Sequence, residues 1–228
     1  MAERVFYKVE NIDELVGIYI KASEKARREG LLALDDDIAE LSSAKGYHYL
    51  IADLLQLVLD GVDLDTIQGV GEAARRRIMD DIRFGWVVWL ELLAIARARD
   101  DADRAIKDFL DRVYIFESGA FRGQIDAFVE FAVAAPSLRA GGGIEATDAA
   151  LPPTFRLHPL TRATVLVSLD EAMGEEPRRR TLEAQFSHYC QALERNLAVM
   201  VEGTIQVQRG NNPKIVERSL REITGGKS

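Results

Sequence analysis

The sequence predicts an all-α protein, a helical bundle with one long helix near the C-terminus. Apolar residues recur at spacings of three and four through most of the chain, which is the period of a helix that buries one face. The clearest run is Leu182, Phe186, Tyr189, Leu193, Leu197, Met200, Thr204 and Val207, which describes a single helix of about 28 residues. Glycine, asparagine and proline fall between the apolar runs, as helix stops and starts require.

Asn11 followed by Glu14 opens the first helix, because the Asn side chain accepts from a free backbone N–H and the Glu can reach back to the cap. Ile12, Leu15, Tyr19, Ala22 and Ala26 form its stripe. Beyond Gly30 the stripe passes to Leu31, Leu34, Ile38 and Leu41, so the buried face rotates or the helix breaks there. Residues 46–59 carry apolar side chains almost all round, the pattern of a buried central helix. Asp60-Gly61 ends it, and Asp63 or Asp65 caps a helix continuing to Ile82. Asp60, Asp63 and Asp65 do not follow the calcium-loop order, so they are turn and cap residues.

Residues 84–99 read as a separate helix anchored by Trp86 and Trp89. Amphipathic helices follow over 100–116 and 118–135. Residues 136–159, with Gly141-Gly142-Gly143 and Pro152-Pro153, form a linker. Residues 160–173 suggest a short helix, although Val165, Leu166 and Val167 leave room for a strand. After the long helix, Gly210-Asn211-Asn212-Pro213 stops one helix and starts the next. The expected organisation is a helical region over 1–135, the linker over 136–159, and a region over 160–228 that packs with 1–135 as one domain.

At 228 residues, 47% hydrophobic and 29% charged, the chain is long enough to bury a core without staples. The single cysteine, Cys190, excludes an intrachain disulfide and favours a reducing, cytoplasmic setting. Residues 1–8 lack the basic segment and apolar block of a signal peptide. The best apolar runs, 84–96 and 125–135, are interrupted by Glu91 and by Asp126 and Glu130, so no membrane span is expected. A formal charge of −8 disfavours nucleic acid as a partner.

No enzyme constellation emerges. His48, His158 and His188 lack metal-ligand spacing, and the motifs of serine hydrolases, zinc peptidases and dinucleotide enzymes are missing. The expectation is a non-catalytic protein without metal or cofactor.

Two islands carry a family resemblance. Lys25-Ala-Arg-Arg-Glu-Gly-Leu-Leu-Ala-Leu-Asp35 resembles the cytoplasmic segment that follows the second membrane helix of the flagellar stator subunit MotA, and Asp60-Gly61 resembles an Asp-Gly turn downstream of it. Glu202-Gly203-Thr-Ile-Gln-Val-Gln-Arg-Gly210-Asn-Asn-Pro213 resembles the family's stretch after its last membrane helix. The membrane helices that separate such islands in the family have no counterpart here, and His188, Gln191, Glu194 and Arg195 give the long helix a water-facing side. The resemblance implies a MotA-like protein without a proton channel. It implies a protein partner at the flagellar motor, with the rotor switch protein FliG contacted through Arg27 and Asp35 and the neighbouring Arg28, Asp36 and Asp37. Gly30 is then the bend that presents them. A helical scaffold unrelated to motility, binding through residues 84–135, and a ligand-binding or enzymatic domain near the linker are the alternatives.

Overall fold

The computed structural model describes residues 9–43, 48–98, 101–113, 158–170 and 172–225, with isolated positions at 130, 131, 134, 145, 148, 149 and 151. The described residues hold helices and no strand, as the apolar spacing predicts. In order these are α1 (Ile12–Glu29), a 3-10 turn (Leu31–Leu34), α2 (Asp35–Ser43), α3 (His48–Leu59), α4 (Leu64–Ala98), α5 (Ala102–Val113), α6 (Pro159–Leu169), α7 (Glu175–Gln208) and α8 (Pro213–Ile223). Most of the predicted helix over 118–135 and of the linker over 136–159 lies outside the described residues.

Local signals set the boundaries. Asn11 Oδ1 accepts from Asp13 N at 2.8 Å and Asn212 Oδ1 from Ile215 N at 3.0 Å, each occupying an N–H that has no partner inside the helix. Pro213 follows its cap in the first turn of α8, where a missing N–H is harmless. Asp63 accepts from both the backbone N–H and the hydroxyl of Thr66, and these bonds hold its carboxyl below the usual range. Helix ends at Gly30, Gly61 and Gly210 use positive φ values of 91°, 72° and 65°.

Three expectations are corrected. Residues 64–98 form one 35-residue helix with no boundary near Arg83. No proline lies at that point to end the helix. α7 begins at Glu175, ahead of the apolar run, with Glu175 and Glu176 favouring its N-terminal dipole and Pro177 tolerated in the first turn. α3 is not buried all round. Tyr49, Asp53 and Gln56 form an exposed stripe, while Ile51, Leu54, Leu55 and Val58 carry the buried face.

The chain divides into two compact units. One comprises Lys8–Met79 and Cys190–Ser228, the other Met1–Tyr7 and Asp80–Tyr189. In the first unit α1 packs on α8, and α2 on α3. Its most enclosed segment is 199–207 of α7, where every residue except Glu202 is buried. Gly71 of α4 meets Val201 so closely that a Cβ there would lie 2.9 Å from its methyl carbons.

In the second unit Trp89 is fully buried, donates to Thr164 Oγ1 at 2.8 Å and meets Phe131 edge-on at 4.9 Å. Trp86 stacks on Phe186 at 4.4 Å. Arg178 is buried and donates to the carbonyls of Val167, Asp170 and Met173, closing the C-terminal end of α6. Residues 160–169 are therefore helical rather than extended.

Candidate interaction surface at the Gly30 bend

The first unit brings the two sequence islands together. Near the end of α1, Ser23 Oγ donates to the carbonyl of Asn211 at 2.6 Å and Arg27 Nη1 to that of Gly210 at 2.8 Å. Carbonyls beyond the last turn of a helix have no partner within it, and a cation near them also meets the negative end of the helix dipole. Arg27 thus caps α7 while its side chain remains at the surface. One turn earlier, the Tyr19 ring lies against Gly203, where a Cβ would fall 2.4 Å from ring atoms. The Tyr19 hydroxyl donates to the carbonyl of Met200 at 2.6 Å, and burial pushes its pKa upward.

The Asp60-Gly61 turn reaches the same helix end, because Gln208 Nε2 donates to the carbonyl of Val62 at 3.1 Å. Asp60 itself accepts from Gln56 at 2.9 Å. Glu202 accepts from Gln206 and from Ser219 of α8, while Asn211 donates to Gln206. Gly203, Gly210 and Pro213 are consequently residues of packing, turn and helix start.

At Gly30 the chain leaves α1, and Leu31–Leu34 carries it into α2. Lys25 Nζ meets Asp37 Oδ2 at 2.8 Å across this bend, and that hydrogen bond raises the Lys25 pKa. Arg28 pairs with its neighbour Glu29 and stays largely exposed. Asp35, Asp36 and Asp37 occupy the first turn of α2, where the positive dipole end favours carboxylates. Asp35 and Asp36 are exposed and make no ion pair among the described residues.

The named residues therefore divide. Arg27, Arg28 and Asp37 are held by contacts within the chain, Arg28 by its exposed pair with Glu29, whereas Asp35 and Asp36 offer charge to solvent. Sequence spacing marked Tyr19 only as a member of an apolar stripe and did not reveal Ser23 or Lys25 as bracing residues. Their partners are distant in sequence or lie across a bend, so no local period signals them.

Among the described residues, no group of His, Cys, Asp and Glu is placed to hold a metal ion. No helix among them is long and apolar enough to cross a membrane.

No family model matches the chain. The protein called Motility protein A from Aquifex aeolicus (strain VF5) is 28% identical over 86 residues, covering 38% of this chain and 33% of that protein. The similarity thus spans about a third of the relative's length. It is a distant, partial likeness to a motility protein.

Proposed function

We propose that this chain is a non-catalytic, cytoplasmic MotA-like protein that lacks a proton channel and binds a component of the flagellar motor through the surface around Gly30. The observation that carries the reading is the junction of the two islands. The segments resembling MotA, far apart in sequence, meet through Ser23, Arg27 and Tyr19. The partial likeness to Motility protein A supports the same direction.

The rotor switch protein is the proposed partner. Asp35 and Asp36 supply the accessible charges, Arg28 is offset by its pair with Glu29, and Arg27 and Lys25 hold the surface in shape. Exposed charge contacts contribute at most about 1 kcal/mol each, so these side chains govern orientation and association rate more than affinity.

A pull-down with purified rotor switch protein tests the reading. Asp35→Lys combined with Asp36→Lys is expected to weaken capture several-fold at low salt, by adding like or removing opposite charge at the contact. Capture equal to wild type would exclude these carboxylates from the interface. Arg27→Asp requires a parallel melting curve, because losing the Gly210 cap changes the fold as well as the charge.

A further inference from the structure

We propose that α4 carries a docking seam for a second copy of this chain, the two helices lying antiparallel with Arg77 of each against Asp80 of the other. The inference goes beyond the Gly30 surface and does not rest on it.

The spacing of residues along α4 sets its outer face. Val70, Ala73, Arg77, Asp80, Phe84 and Val87 follow one another at alternating three and four residues, and all six are exposed. The same spacing reaches exposed Thr66 before them and exposed Glu91 after them. On the opposite side of the helix Ile78, Ile82 and Trp89 are buried. Every surface helix has a solvent-facing stripe, but polar residues normally occupy it. Here Val70 is 45% exposed, Phe84 41% and Val87 59%, and they lie at the three-and-four spacing that a second helix fills.

The order of residues along the seam is self-complementary. An antiparallel copy centred between Met79 and Ile78 sets Arg77 against Asp80, Ala73 against Phe84 and Val70 against Val87, with Thr66 against Glu91 at the ends. A two-fold axis makes each of these matches twice. Small meets large in one layer, apolar meets apolar in the next, and opposite charges meet at the centre. Sliding the copy by seven residues sets Arg77 against Val87 and Asp80 against Phe84, and a parallel copy in register sets Arg77 on Arg77 and Asp80 on Asp80. Those arrangements bury charge on apolar groups or bring like charges together, so the sequence selects one register.

The central charges are available for this pairing. Arg77 is exposed and makes no ion pair among the described residues. Asp80 meets Arg83 of its own helix at 3.1 Å through Oδ1, with both side chains largely exposed. A carboxylate accepts from more than one donor, so Asp80 can keep Arg83 and accept from Arg77 of the second copy. Arg76 and Arg83 stand at the rim, where water and salt screen them. The matched layers run over about 38 Å of helix, a contact of the small, reversible class.

Sedimentation of the full chain from about 10 µM to about 1 mM, the range in which such a contact fills, tests the proposal. Wild type is expected to pass from monomer to dimer. Arg77→Asp and Asp80→Arg are each expected to weaken self-association about tenfold or more, because each sets like charges face to face at two places. Mixing the two variants is expected to restore the dimer, since their reversed charges then face each other, and a loss of fold would not be rescued in this way. In a Cys190→Ser background, oxidation of mixed Val70→Cys and Val87→Cys chains is expected to crosslink one to the other, and neither to itself. A wild type that stays monomeric across the range overturns the proposal, as does a mixture no more dimeric than its components. Self-association of Arg77→Asp equal to wild type places the contact elsewhere and overturns it as well. Crosslinking of Val70→Cys to itself identifies a parallel pair and overturns the register.

Discussion

Tyr19 shows how closely the two islands are fitted. A methyl group at Gly203 would overlap its ring, and helix propensity favours alanine over glycine by only about 1 kcal/mol. Overlap in a packed core costs about 1–3 kcal/mol. Gly203→Ala is therefore expected to lower stability, read as a fall in the urea midpoint. The Tyr19 phenol also makes stability depend on pH. Its folded pKa is raised, so the stabilisation is fully present below the unfolded value of about 10 and is lost as pH rises through the folded value. Stability should fall above about pH 10, by up to about 1.4 kcal/mol per unit, and Tyr19→Phe should remove that part of the slope.

At the scale of elements, Gly30 and Arg178 fix how helices end. A Cβ at Gly30 would meet nothing within 4 Å, so Gly30→Ala tests the backbone alone. With φ at 91° and ψ at 162°, a region that essentially only glycine adopts, the substitution should cost about 1–3 kcal/mol, seen as a lower melting temperature. Arg178→Met keeps an apolar stem but removes the guanidinium that donates to the carbonyls of Val167, Asp170 and Met173. A loss of about 2–3 kcal/mol is expected in urea titration. Arg179→Ala, by contrast, removes exposed pairs with Glu176 and Glu183 and should leave the urea midpoint near wild type.

At the scale of the whole molecule, the formal charge of −8 does not describe the proposed interface. Its exposed charges are Asp35 and Asp36 at the start of α2, and Arg28 is offset by its pair with Glu29. Its binding should consequently weaken as salt rises, measured by titration with purified rotor switch protein. Segments 199–207 and Tyr19 hold the geometry from within the first unit, and neither needs to touch a partner to affect binding.

The sequence by itself determined the all-α class, the cap at Asn11, the helix start at Pro213, and the turns at Gly30, Gly61 and Gly210. These follow from local demands: unpartnered backbone groups at helix ends and the backbone angles that glycine adopts easily. It also marked both islands and the residues around Gly30. Only the tertiary structure decided that α4 continues past Arg83, that 199–207 is the enclosed helical segment, and that Arg27 caps Gly210 while Leu32 faces solvent. A helical period reveals that a face is apolar but not which distant segment covers it. Closure of long loops brings those segments together, and a side chain such as Arg27 acquires its partner only then.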